Sequence, residues 1–370
     1  EDGSNYLSGL DGDGSELIHL RKKTEEITFH NIPKKPVPSL FRGFTAPIKL
    51  RKSPSDANIG LLFKSDSDPF NRWESGQRFA SKCLLDMIKD PNCNHLPQEY
   101  IDAFGELLSD DNIEAAFKAS AMSLPGELFI GQQMSVVDVD AIFKMRRHAV
   151  QTLAAAYENQ LLALYEKNQN IDDAGNRALK NISLSYLTSQ NSEAFTHLAK
   201  EQYFSAENMT DRVAALARLA QTSDPARDDA LQDFYTRWEK DALVIDKWFT
   251  LQATSSREEA ISDVLNLHEH PAFTFLNPNR VRALIAAFAS ANPRHFHSTD
   301  GKGYKILTDA IIKLNEINPQ IAARLVSPLG QWRRFDGTRQ TLMKAALEEI
   351  LKIANISNDV YEMANRSLNS

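Results

Sequence analysis

Two short histidine clusters are the first place in this sequence where metal chemistry suggests itself. His268-Glu269-His270 gathers residue types that bind zinc, and His295 and His297 form a second pair in Asn292-Pro-Arg-His-Phe-His297. A zinc-binding hydrolase helix uses H-E-x-x-H, which sets two imidazoles a turn apart on one face, with the glutamate beside a metal-bound water. Here the members of each pair are two residues apart, so on a helix the rings point in different directions. Pro271 follows the first cluster at once, and the second reads as a loop between helices. Both are expected to be structural or exposed, and no residue is assigned as catalytic or as a metal ligand. No G-x-S-x-G elbow occurs, Cys83 and Cys93 lack a nucleophile's context, and Asp300-Gly-Lys-Gly303 lacks the spacing of a P-loop. Asp11-Gly-Asp-Gly14 reads as a turn, because no bidentate glutamate follows at calcium-loop spacing.

The arginines are less easily dismissed. Asn277-Pro-Asn-Arg280-Val-Arg282 opens a helix whose apolar face runs from Ala283 to Phe288. Two cations in a first helical turn oppose the helix dipole, so something else must compensate. Arg324 lies in the otherwise apolar Ile321-Ala-Ala-Arg-Leu-Val-Ser-Pro328. Such a side chain snorkels, pairs with a carboxylate, or faces a cavity and binds a carbonyl or carboxylate there.

The elements that must position these groups are mostly helical. The 370 residues carry only 15 glycines, which means few tight turns and favours long helices. The composition, 42% hydrophobic and 25% charged, is that of a globular protein. The net charge of −7 gives no support for a nucleic-acid partner, whose binding leaves a basic footprint. No apolar run is long enough for a membrane span, and Glu1-Asp-Gly-Ser does not open a signal peptide. With two cysteines read as unpaired thiols, a reducing, cytoplasmic location is expected.

Residues 15–50 have strand character: Leu17-Ile-His-Leu20 and Glu26-Ile-Thr-Phe-His30 are short runs bounded by polar residues, and Pro33, Pro36, Pro38 and Pro47 forbid a helix. The segment is too short for a sandwich of its own. Residues 51–67, Ser/Asp/Lys-rich with Pro54, read as the boundary. From Asp68-Pro69, an N-cap followed by proline at the first helical position, the pattern is helical almost to the end. It predicts one long helix over 137–167, then helices near 172–187, 191–203, 207–221, 225–240, 242–254, 258–267, 278–291, 304–316, 318–328, 338–354 and 358–368. Short connections between helices of this length imply stacked pairs, a degenerate α-solenoid of ARM/HEAT type.

Several stretches, in order, give the chain a family likeness. Pro36-Val-Pro-Ser-Leu-Phe-Arg-Gly-Phe-Thr-Ala-Pro-Ile-Lys-Leu50 resembles the last strands of the β-sandwich domain in bacterial-type members of the aminopeptidase N family, and Asp68-Pro-Phe-Asn-Arg-Trp-Glu74 the start of that family's helical domain. Asn208-Met-Thr-Asp-Arg-Val-Ala-Ala-Leu216, Asp246-Lys-Trp-Phe-Thr-Leu-Gln-Ala-Thr254 and Asn277-Pro-Asn-Arg-Val-Arg-Ala-Leu-Ile285 continue the match, followed by Gly303-Tyr304, Asn318-Pro-Gln320 and Ala323-Arg-Leu325. The likeness runs from about residue 14 to the end.

The resemblance implies a mainly α chain with the remnant of an Ig-like β-sandwich in 1–51 and a helical C-terminal domain in 52–370. It implies a zinc metallopeptidase as the parent, with zinc and catalysis supplied by a catalytic domain of the same polypeptide, and peptides as substrates. The family's H-E-x-x-H and its G-x-M-E-N stretch are absent from this sequence, so this part is expected to enclose the substrate cavity, to bind no zinc and to be inert alone. By the same resemblance Arg282 and Arg324 face that cavity and contact substrate carbonyls or a carboxylate, while Arg280 is structural. The alternative is a free-standing α-solenoid that holds a protein partner in its concave face.

Overall fold

The computed structural model describes residues 15–30, 32, 34–45, 48, 50, 54–90 and 95–369. Cys93, Pro33, Pro47 and the turn at Asp11–Gly14 lie outside the described residues. Two compact units emerge, one of residues 1–125 with 171–182 and one of 126–170 with 183–370.

In the first unit, the described residues of 15–50 form no strand, only a 3-10 turn at Arg42–Phe44. A strand needs a partner for its row of N–H and C=O groups. No partner strand forms among the described residues, and Leu17, Leu20, Ile27 and Phe29 stay exposed. The expected boundary at 51–67 instead contains a helix, α1, Asp56–Ser65. The Ser55 hydroxyl caps it by accepting the Asn58 N–H, and Ile59 and Phe63, four apart, supply its buried face. α2 (Pro69–Lys89) starts as the sequence predicts, the Asp68 carboxylate accepting the Asn71 N–H at 2.8 Å. α3 (Gln98–Ser109) and α4 (Ala115–Met122) follow. Phe63 stacks on Tyr100, centroids 5.9 Å apart, and Phe79 meets the same ring edge-on. Gly76 makes this possible, since a Cβ there would lie 2.6 Å from the Phe63 ring.

In the second unit, α5 (Glu127–Gln132) leads to α6 (Val139–Ala156) and α7 (Glu158–Lys167). The single long helix predicted over 137–167 is therefore two, broken at Tyr157, whose φ of −127° and ψ of 29° are not helical. α8 (Ala174–Thr188) belongs to the first unit up to residue 182 and to the second beyond it. Then come α9 (Glu193–Ser205), α10 (Met209–Leu219), α11 (Pro225–Trp238), α12 (Ala242–Ala253) and α13 (Ala260–His268). Each of α9 to α12 packs on the next in sequence, the stacked-pair arrangement expected of a helical repeat.

α14 (Pro278–Val281) runs through one π-helical turn, Arg282–Ala286, into α15 (Ala287–Ala291). α16 (Pro293–Phe296), α17 (Lys302–Ile317), α18 (Pro319–Leu325), a 3-10 stretch at Ser327–Arg334, α19 (Gly337–Leu351) and α20 (Asn358–Asn369) complete the chain. Asn208, Asp224, Asp241, Asn277, Asn318 and Asp336 each cap the helix they precede through a side-chain oxygen. The start of this unit is tied to its end: Arg334 donates to the carbonyls of Gly131 and Met134, and Arg339 to Asp140 at 2.6 Å. Its core is aromatic, with Tyr203, Phe234, Phe249, Phe288, Phe296 and Tyr304 fully buried.

Candidate functional site

α12 packs on the helix running from Pro278 to Ala291, and an open groove of about 810 Å3 is lined by residues of both. Leu243, Leu251, Val213, Ala283 and Ala287 give it apolar walls; Asp246, Lys247, Thr250, Asn279 and Arg282 supply the polar groups. Asn277 starts the second helix by accepting the N–H groups of Asn279 and Arg280, and Pro278 fixes its first φ.

The two first-turn arginines then part company. Arg280 turns inward and is buried, its guanidinium 4.9 Å from the centre of the Phe249 ring and its Nη1 2.9 Å from Asp246 Oδ1. This is what compensates the unfavourable dipole. The contact is one of charge: its angle falls short of a hydrogen bond, and Arg280 Nε and Nη1 and Asp246 Oδ1 have no hydrogen-bond partner among the described residues. Burial pushes the Asp246 carboxyl up, against the pull of Arg280. Arg282 points the other way. It is exposed at the groove, and its Nη1 donates to Asn279 Oδ1 at 2.5 Å. With the Arg280–Asp246 charges cancelling, Lys247 and Arg282 leave the groove cationic in a chain of net charge −7.

Arg324 sits on α18, whose Ala322, Ala323 and Leu325 are buried while Arg324 itself is exposed. No hydrogen bond or ion pair holds its guanidinium among the described residues. Of the readings open to it, the carboxylate pair is not the one found. Nor is Arg324 among the residues lining the groove, so the structure does not bring it together with Arg282 there.

The four clustered histidines are held by packing and hydrogen bonds. His268 Nδ1 lies 2.8 Å from Glu269 Oε1, and the His268 ring packs on Phe273 and Phe275. His270 sits against Tyr235, Trp248 and Phe249, and burial lowers its pKa. His295 and His297 are not in a loop, as expected, but on and directly after α16, and both are buried. His297 stacks on Phe335 at 4.2 Å and shares a hydrogen bond with the Tyr304 hydroxyl at 2.9 Å. Burial, with Arg339 nearby, brings its pKa down to about 3. A zinc ion needs three or four converging ligands. Among the described residues no three His, Cys, Asp or Glu side chains converge, so these residues do not fit a zinc site. Cys83 is buried and its thiol pushed up to about 12 by burial, which keeps it protonated.

Asp246, Lys247, Thr250 and Asn279 were not singled out by sequence reasoning. Their signal lies in the same two stretches that carried the family likeness, but nothing local says that Asp246 and Arg280, 34 positions apart, would meet.

Two family profiles cover this chain. One, described as a domain of unknown function (DUF3458_C) with ARM repeats, matches residues 56–369; the other, a domain of unknown function (DUF3458) with an Ig-like fold, matches residues 2–53. The chain belongs to the DUF3458 family. Among curated relatives, aminopeptidase N of Escherichia coli (strain K12) is 35% identical over 363 residues, 96% of this chain and 42% of the relative. Aminopeptidase N of Caulobacter vibrioides is 36% identical and that of Haemophilus influenzae 33%, with the same coverage. Among solved structures, the chain is similar to Legionella pneumophila aminopeptidase A, crystallised in complex with aspartic acid. The TM-score is 0.84 at 30% identity, over 92% of this chain and 41% of that one. The DUF3458 chain thus spans less than half the length of these relatives, and the ARM-repeat description agrees with its stacked helices.

Proposed function

We propose that this chain is the C-terminal region of a zinc aminopeptidase that removes N-terminal residues from peptides. In this reading its helical domain walls the substrate cavity, and the 370 residues alone are inert. The observation that carries the proposal is one of extent: nearly all of this chain aligns with aminopeptidases, and with only 42% of each. The sequence lacks H-E-x-x-H, so zinc and the attacking water would be held by a catalytic domain elsewhere in the same polypeptide. The division into an Ig-like remnant, 1–51, and a helical domain, 52–370, is supported by the two family profiles meeting between residues 53 and 56. No described helix is long and apolar enough to cross a membrane; we place the parent in the cytoplasm, as the cysteine usage suggests.

Arg282 and Arg324 are the substrate-facing residues of this reading. Both are exposed cations, and a guanidinium is suited to peptide carbonyls and carboxylates. Arg282 has the stronger support, since it stands in a groove with Lys247 and Asn279.

The test compares this chain with the complete reading frame, measuring aminopeptidase activity and bound metal. An active zinc enzyme beside an inactive, zinc-free chain is the expected result. Turnover or stoichiometric zinc in the 370 residues alone would overturn the reading.

A further inference from the structure

The π turn at Arg282–Ala286 meets a specific donor on the neighbouring helix. In a regular α-helix the Ala287 N–H would donate to the Ala283 carbonyl. It instead reaches the Arg282 carbonyl, five residues back, and that of Leu284. The Ala283 carbonyl takes a donor from α12, the Thr250 hydroxyl at 3.1 Å. That hydroxyl is also 2.9 Å from the Asp246 carbonyl on its own helix, so its one proton is shared between the two. The π turn therefore begins at the groove arginine and is tied to α12 at the residue where its hydrogen-bond ladder changes register. π turns of this kind are rare and concentrate at functional sites.

We propose that Thr250 is a positioning residue for Arg282: its hydroxyl holds the π register that sets where the Arg282 guanidinium stands in the groove. Arg280, clamped by Asp246 and Phe249, fixes the helix on one side of Arg282, and Thr250 fixes it on the other. This inference rests on the reading of Arg282 as substrate-facing, but the register lock is measurable without it.

Two measurements separate the two ideas. In this chain, amide hydrogen exchange across residues 278–291 is compared for wild type, T250V and T250S. The lock predicts faster exchange in T250V, confined to this helix, and wild-type protection in T250S, which keeps the hydroxyl. In the full-length enzyme, T250V is expected to raise KM for tri- and tetrapeptides about 3- to 10-fold, the worth of one hydrogen bond, with kcat little changed. T250S should restore it, and T250V should add nothing in an R282A background. Unchanged exchange in T250V overturns the lock. Altered exchange with unchanged KM, where R282A itself raises KM, overturns the positioning role. If R282A has no effect on KM, the substrate-facing reading fails and the positioning of a substrate group fails with it, while the exchange result still decides the lock.

Discussion

At the scale of single residues, two arginines separated by one valine behave as different kinds of group. Arg280 is buried against a carboxylate and a ring, so Arg280→Ala leaves the half-buried Asp246 without its partner and empties the space over Phe249. We expect a loss of about 1–3 kcal/mol of folding stability, read as a drop in Tm. Arg282→Ala and Arg324→Ala remove exposed side chains and should leave stability within about 0.5 kcal/mol. Each is instead expected to raise KM of the full-length enzyme on tri- and tetrapeptides about tenfold, the scale of a charge-assisted hydrogen bond. Kinetics equal to wild type would remove that residue from the site. The sequence announced that Arg280 and Arg282 needed compensation, because the dipole argument is local. It did not announce Asp246, because ion pairing across helices is decided by packing.

At the scale of elements, several helix starts were legible, while the starts of α1 and α16 and the helix interiors were not. Asp68-Pro69, Asp224-Pro225, Asn277-Pro278 and Asn318-Pro319 each begin a helix where a capping oxygen precedes a proline, chemistry that needs no tertiary partner. The break at Tyr157 and the π turn at Arg282 leave composition and apolar spacing unchanged, so periodicity runs straight through them. The helix Asp56–Ser65 was hidden by its polar residues, although the Ile59 and Phe63 pair marks its inner face. Its neighbour's cap is testable: Asp68→Ala should cost about 1 kcal/mol in urea denaturation, since the Asn71 N–H loses its acceptor. Gly303, in the first turn of α17, is closed to any side chain, because a Cβ would lie 2.2 Å from the Phe296 carbonyl oxygen. Gly303→Ala must separate α16 from α17, and we expect a loss of about 3 kcal/mol on the same measurement.

At the scale of the whole molecule, three histidines are held neutral by burial. His270 and His295 lie below their ordinary pKa, and His297 is brought down to about 3. The unfolded chain takes up these protons below about pH 6.5, and the folded chain takes them up at lower pH, His297 only near 3. Their contribution to stability is therefore complete above about pH 6.5 and is lost as pH falls through the folded-state values, for His297 toward 3. For His297 this is at most about 5 kcal/mol. The urea midpoint should fall between pH 7 and pH 4, and His297→Gln should flatten that slope. An equal slope in the variant would mean that the ring is charged in the folded state. A different consequence follows from the apolar side chains of the first unit that no strand ladder covers among the described residues, Leu17, Leu20, Ile27 and Phe29. Water gains by removing such surface, and another molecule of the same chain is the nearest means. In concentrated solution this segment should behave as an adhesive, giving light scattering that grows faster than concentration and subsides in mild detergent.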